Sequence, residues 1–183
     1  DQSQVTANST SIPVTLLSTP LCIDPKGNEG LNPQKTEPTN PLYSLDKQQS
    51  SLVYYDKNTI VLTMPYWVKV TNSSVEDSEV KKHSFVLSYD PEAMTASDTK
   101  LKLYISHVVE DAGETVTRSN FTYAYRAYSI RAALAAFKEK TGKLPKYLEL
   151  TAEINNSKDE LVDKDGKETS VERSVEYDYA FTE

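Results

Sequence analysis

An alternation of apolar and polar residues with a period of two recurs after the first 41 residues and most constrains the fold of this chain. In residues 82–89, Phe85 and Leu87 alternate with serine and valine, and in residues 100–108, Leu101, Leu103 and Ile105 alternate with polar residues and a tyrosine. Successive side chains of a β-strand point to opposite sides, so this period predicts strands with one buried face. We therefore expect a mainly β fold, an antiparallel β-sandwich, with α+β as the alternative description.

The first predicted hairpin lies just after the start of this pattern. Residues 51–55 and 59–64 are rich in strand-forming residues and are joined by a polar connection of three residues. Pro65 follows directly and cannot donate a ladder hydrogen bond, so we expect a bend or bulge there before a further strand segment over residues 66–71.

A second hairpin is predicted at the end of the chain. Residues 147–154 and 171–181 alternate clearly, and an Asp-Gly turn signal lies between them. Residues 144–183 hold 11 acidic and 5 basic side chains, so this acidic hairpin carries nearly all of the net charge of −7.

One amphipathic helix interrupts the strand pattern at residues 129–141. Its apolar residues recur at helical spacing and predict a stripe that packs on the sheet. Ser129 is the expected N-cap, and Gly142 stands where a left-handed C-cap belongs. The stripe consists of Ile130, Ala133, Leu134 and Phe137.

The chain divides into a proline-rich segment and a single domain. Six of the nine prolines fall within residues 1–41, which predicts an extended or looped segment before a β-rich domain over residues 42–183. Residues 12–17 could form an edge strand, either in their own sheet or, as a donor strand, in a neighbouring molecule. The second arrangement predicts self-association through the N-terminal segment.

Composition argues against several function classes. The negative net charge disfavours a nucleic-acid partner, and no stretch has the roughly 20 apolar residues of a membrane-spanning helix.

Five glycines leave no phosphate-binding loop, so no cofactor is expected. One cysteine and two histidines offer no recognisable nucleophile, and no catalytic residue is assigned. The chain is predicted not to be an enzyme, with a hydrolase using paired carboxylates as the open alternative.

A fragment of a calcium-loop pattern occurs at residues 161–172. Asp163, Asp165 and Glu172 occupy ligand positions of such a loop, but Leu161 stands where the first ligand belongs, and the flanks are strands. We therefore interpret the segment as an Asp-Gly hairpin turn, so no metal is favoured, and weak Ca²⁺ association is the alternative.

Aromatic residues are the remaining candidates for binding. Adjacent strand residues face opposite sides, so at least one of Tyr66 and Trp67 is expected to leave the core, while Tyr123 and Tyr125 share one strand face. Loops rich in serine, threonine and asparagine suit a location outside the cell. We expect a non-enzymatic extracellular or cell-surface module for adhesion, assembly or envelope attachment, with a protein or glycan partner. The alternative is a carbohydrate- or small-ligand-binding domain that uses these four rings.

Overall fold

The computed structural model describes residues 40–48, 51–111, 116–157 and 170–181. Within them, seven strands and two helices follow one another along the chain. They are β1 (Leu52–Asp56), β2 (Thr59–Val68), α1 (Asp77–Val80), β3 (His83–Ser88), β4 (Lys100–Val109), β5 (Asn120–Ser129), α2 (Arg131–Thr141), β6 (Tyr147–Ile154) and β7 (Val171–Asp178).

The strands form a three-stranded sheet in the order β1-β2-β5 and a four-stranded sheet in the order β3-β4-β6-β7. The predicted mainly β fold is confirmed. All neighbours are antiparallel except β4 and β6, which run parallel and were not expected to do so. The chain passes through β5 and α2 between these two strands, which supplies the long crossover that a parallel pair requires.

The two sheets pack face to face. The Tyr54 hydroxyl donates to the Asp178 carbonyl at 2.9 Å, which places β1 over β7. The Tyr128 hydroxyl donates to the Phe85 carbonyl at 3.0 Å, which places β5 over β3. The core between them is formed by alternate residues of both sheets, as the period of two predicts, and includes Ile60, Leu62, Met64, Leu87, Leu101, Leu103, Leu148 and Leu150.

Both predicted hairpin pairings are present, but the predicted bend or bulge at Pro65 is wrong. β1 pairs with β2, β6 pairs with β7, and β2 runs without interruption past Pro65, which lies opposite Tyr123. The Pro65 carbonyl accepts a hydrogen bond from the Tyr43 N–H at 3.0 Å, on the side away from β5. The missing N–H of Pro65 faces the same side, so the ladder to β5 loses no bond.

The N-cap of helix α2 lies one residue later than predicted. Ser129 ends β5 opposite Thr59, and Ile130 is the N-cap with no side-chain hydrogen bond, so the Ser129 cap is wrong. The other signals hold, because the predicted apolar stripe is buried and Gly142 adopts a left-handed φ of 74° with its N–H bonded to the Lys138 carbonyl.

A short segment around Leu42 joins the two sheets. The Leu42 N–H donates to the Glu153 carbonyl at 2.9 Å, and its own carbonyl accepts from the Asn155 N–H at 2.8 Å. Leu42 also forms a bridge to Tyr66 of β2. The predicted strand over residues 12–17 lies outside the described residues, so the division at residue 42 stays a prediction.

Neither described helix has the length and apolar content that crossing a bilayer requires.

Candidate functional site

The two outer faces of the sandwich differ sharply in charge. The four-stranded sheet carries an ion-paired outer face, where the Lys100 ammonium lies 3.4 Å from the Glu149 carboxylate and 2.5 Å from that of Glu176. The outward positions of β2 and β5 carry no charged residue. They are Thr59, Val61, Thr63, Pro65 and Trp67, opposite Ser129, Ala127, Tyr125, Tyr123 and Phe121.

Five rings form what we call the aromatic platform on this uncharged face. They are Tyr43, Trp67, Phe121, Tyr123 and Tyr125. The Tyr43 ring stacks on Phe121 with centroids 4.1 Å apart and meets Trp67 edge-on at 5.0 Å. Tyr123 lies 5.9 Å from Phe121 and 6.5 Å from Tyr125. The rings therefore form a continuous row along β5.

The platform has an exposed part and a buried part. Phe121 and Tyr123 are 41% and 39% exposed, which is high for large aromatic side chains. Trp67 is 4% exposed, and its indole N–H donates to the Asn155 carbonyl at 2.7 Å. Trp67 thus supports the rings from below, while the Phe121 and Tyr123 rings and the Tyr123 hydroxyl can meet a ligand.

The structure separates the predicted ring residues. Trp67, Tyr123 and Tyr125 lie on the platform, but Tyr66 lies on the inner face, buried against His83 at 4.8 Å and Phe85 at 5.1 Å. Trp67 leaves the core for the outer face, as expected for at least one of the two residues, but it is only 4% exposed there, so neither Tyr66 nor Trp67 offers a free ring.

Tyr43 covers Trp67 from outside, and this non-local contact explains the burial. The contact has no local signal in the sequence. Phe121 could have been found, because it lies two residues before Tyr123 and shares its face.

The calcium-loop candidates are only partly described. Asp163 and Asp165 lie outside the described residues, and Glu172 is an exposed residue of β7 opposite Glu153. In the described parts of the chain, no three or more His, Cys, Asp or Glu side chains are arranged so that they could hold a metal ion.

A cluster of polar side chains lies inside the sandwich, away from the platform. We call it the buried polar cluster: Glu79, His83, His107, Asp111 and Arg118. His83 Nδ1 lies 2.9 Å from His107 Nε2, and His83 Nε2 lies 3.2 Å from Glu79 Oε1. Arg118 Nε donates to Glu79 at 2.7 Å, and its two Nη groups bind both oxygens of Asp111 at 2.7 and 2.6 Å.

Burial and charge set the protonation of this cluster. Burial opposes ionisation of Glu79, but hydrogen bonds from the Lys69 N–H, Arg118 and His83 outweigh it and hold the carboxyl pKa below its usual value. The Arg118 hydrogen bonds lower the pKa of Asp111. Burial lowers the pKa of both histidines, against the pull of Glu79 on His83, and brings the pKa of His107 to about 3.

The cluster suits a structural role better than catalysis. The His83 side chain has no exposed surface, and both carboxylates are held ionised by Arg118, whereas a general acid needs a raised pKa. Glu79 comes from α1, the histidines from β3 and β4, and Arg118 from the approach to β5. The cluster therefore ties four segments together.

Comparison with solved structures finds a neighbour that shares this fold. A protein from Bacteroides fragilis NCTC 9343, described as a "putative lipoprotein", superposes with a TM-score of 0.69 at 26% identity, over 92% of this chain and 75% of that chain. An uncharacterized protein from Parabacteroides merdae ATCC 43184 reaches a TM-score of 0.44 at 13% identity, over 89% of this chain and 64% of that one, too distant to carry an argument. The sequence matches no family model and no curated protein.

Proposed function

We propose that this protein is a non-enzymatic binding module of the cell surface whose aromatic platform holds a neutral carbohydrate chain. The observation that carries the proposal is the outer face of β2 and β5, where no charged side chain occurs and the rings of Phe121 and Tyr123 are exposed. Outer faces of antiparallel sheets normally carry polar residues, so exposed rings in this position call for a partner.

The chemistry of the platform favours a neutral glycan. Exposed rings offer flat apolar faces, and the hydroxyls of Tyr123 and Tyr125 add hydrogen-bonding groups at the rim. A ligand that bears charge would find no countercharge on the outward residues of β2 and β5. The row of rings runs along a strand, which suits an extended chain better than a compact molecule.

A location outside the cell is supported by the fold neighbour. The Bacteroides fragilis protein is described as a putative lipoprotein, and this chain shares most of its fold at 26% identity. Lipid anchoring at a surface would present a sandwich domain of this kind to ligands outside the cell.

A protein partner is the second candidate, for adhesion or assembly. Val53 on β1 is 57% exposed and lies opposite Val61 on the same uncharged face. Aliphatic side chains beside aromatic ones are typical of protein contact surfaces.

The experiment compares two tyrosine variants in glycan binding. The purified chain is run through gels that contain neutral or anionic polysaccharides. The affinity for each polysaccharide that retards the chain is then measured by calorimetry. Tyr123→Ala should weaken binding of a neutral glycan about tenfold, equal to about 1.4 kcal/mol. Tyr104→Ala, which removes a half-buried tyrosine from the charged outer face, is the matched control and should leave binding unchanged.

Two results would overturn the glycan proposal. One is the absence of retardation by any neutral polysaccharide. The other is equal weakening by the two variants, which would place binding elsewhere. Capture of a folded protein partner that Tyr123→Ala abolishes, with no glycan binding, would establish the second candidate instead.

A further inference from the structure

The free edge of β5 is formed by the residues that carry the exposed rings. Pro65 and Thr63 of β2 direct their backbone groups away from β5, because the Pro65 carbonyl bonds Tyr43 and the Thr63 N–H bonds Ser51. Their register partners on β5 are Tyr123 and Tyr125, which therefore form no backbone hydrogen bonds to β2. The backbone N–H and C=O groups of Tyr123 and Tyr125 lie in the plane of the sheet and point away from β2, toward the free edge. By the same alternation, so do those of Phe121 and Ala127.

This edge is open in the described part of the chain, where β5 pairs with β2 only. The Tyr125 carbonyl accepts one hydrogen bond from Arg126 Nη1 at 3.1 Å, which leaves its second lone pair available. The backbone groups of Phe121 and Tyr123 at this edge are ready to pair with another strand.

β5 has few of the usual protections of an edge strand. The strand has ten residues, contains no proline or lysine, and its one charged residue, Arg126, points inward over the Phe85 ring at 5.4 Å. Natural edges are blunted by charge, including inward-pointing charge, by proline, by bulges or by shortness, and of these β5 has only the inward-pointing Arg126. By contrast, the edge strand β7 carries Glu172, Glu176 and Asp178.

We propose that two copies of this chain pair through β5, antiparallel and about a two-fold axis that places Tyr123 opposite its own copy. Phe121 then lies across from Tyr125 of the partner subunit, and the two three-stranded sheets become one sheet of six strands. All backbone groups that point to the free edge near the axis find partners, because residues 121, 123 and 125 of one copy lie opposite residues 125, 123 and 121 of the other.

The self-pairing is favoured by the side chains that it brings together. This register produces three cross-strand pairs of aromatic rings, and such pairs stabilise antiparallel ladders by roughly 0.2–1 kcal/mol each. A register centred on Tyr125 would instead set Phe121 and Tyr123 against serine and alanine. In the proposed register Arg126 lies across from Asn120 of the partner subunit, so no like charges meet.

The pairing stands independently of what the platform binds. Side chains stand perpendicular to a sheet, so the rings would remain on the outer face of the dimer and form one platform of twice the length. An extended partner would then meet both subunits, which raises its apparent affinity through multivalency.

A charge-exchange experiment tests both the edge and the symmetry. The oligomeric state of the full chain is measured by sedimentation up to millimolar concentration. Tyr123→Lys and Tyr123→Glu should each be monomeric, because the two-fold axis places like charges together. An equimolar mixture of the two should dimerise again, because opposite charges then meet. Val53→Lys puts the same lysine on the same face at the other edge and should dimerise like the parent chain.

Each result decides the proposal. A parent chain that is monomeric at millimolar concentration overturns it, as does a dimer that survives Tyr123→Lys. Failure of the mixture to dimerise overturns the two-fold register at Tyr123, provided that near-ultraviolet circular dichroism and melting temperature show both variants to be folded. Glycan binding by a strictly monomeric chain would overturn the dimer and leave the proposed function standing.

Discussion

His83 Nδ1 and His107 Nε2 lie 2.9 Å apart, with ring planes inclined by 16°. Such a contact holds one proton, because two N–H groups facing each other would clash and repel. The pair can therefore carry at most one positive charge at this contact, and burial disfavours even that. In the folded protein the two imidazoles are therefore neutral, and the neighbouring Glu79 carboxyl is ionised.

Acid should destabilise the protein before its carboxylates protonate. An unfolded histidine has a pKa of about 6.5, whereas His107 in the fold has a pKa of about 3, so the unfolded chain binds more protons between these values. The contribution of His107 to the free energy of unfolding is therefore present above about pH 6.5 and is lost as the pH falls toward about 3. Urea denaturation should show a slope approaching about 1.4 kcal/mol per pH unit near about pH 5.

His107→Gln is the control for this acid sensitivity. It should flatten the slope between neutral pH and about pH 5, whatever its effect on stability at pH 7. The Glu79 and Asp111 contributions, which rest on lowered pKa values, should persist in the variant and disappear only at lower pH. An unchanged slope in His107→Gln would contradict the assignment.

Removal of Arg118 should be strongly destabilising. The Arg118 and Glu79 side chains are 12% and 7% exposed, so Arg118→Met leaves a buried carboxylate without its cation. Breaking such a pair costs about 3–5 kcal/mol. Adding Glu79→Gln should recover part of the loss in a double-mutant cycle measured by urea denaturation.

Lys100→Met provides the contrast, because it breaks ion pairs on the solvent-facing side of the other sheet. Its effect should be far smaller, since exposed pairs are screened by water. Equal losses for Arg118→Met and Lys100→Met would show that the buried polar cluster adds no more stability than a surface pair.

Gly142→Ala should destabilise the protein by about 1 kcal/mol. The cost is conformational, because Gly142 has φ 74° and an added Cβ would meet nothing within 4 Å. Gly142→Asn should lose less, since asparagine tolerates the left-handed region better. The order glycine, asparagine, alanine in melting temperature is the expected result, and a neutral alanine variant would refute it.

Trp67 should report on the platform, because it is the single tryptophan of the chain. It is 4% exposed, so its emission should be blue-shifted relative to the unfolded chain. Phe121→Ala removes the ring opposite Trp67 and should shift the emission to the red and increase quenching by acrylamide. Tyr55→Ala, at a tyrosine that is 80% exposed, should change neither, and a parallel change would argue against the described packing.

The parts of the fold that depend on local pattern could be predicted. The β1–β2 and β6–β7 pairs join segments close in sequence, and the apolar stripe and Gly142 fix α2 from neighbouring residues alone. The parallel β4–β6 pair could not be predicted, because it depends on how a whole crossover packs.

The candidate site was predictable only in part for the same reason. Alternation correctly places Tyr123 and Tyr125 on one face, and it places Tyr66 and Trp67 on opposite faces. It cannot show that His83 covers one of them and Tyr43 the other. The His83–His107 contact likewise joins two strands 24 residues apart in sequence, with no local signature.

The bridge at Leu42 gives this sandwich a mechanical property. A pull on the chain ahead of Asn40 first reaches Asn40, which is hydrogen-bonded to His107 and Val109. It then reaches Leu42 and Tyr43, which are hydrogen-bonded to Glu153, Asn155 and Pro65. These bonds belong to strands of both layers and share the load, so they must rupture together, unlike a hairpin that unzips one bond at a time. Force applied to the chain before Asn40 would therefore load these hydrogen bonds in parallel, which slows forced unfolding.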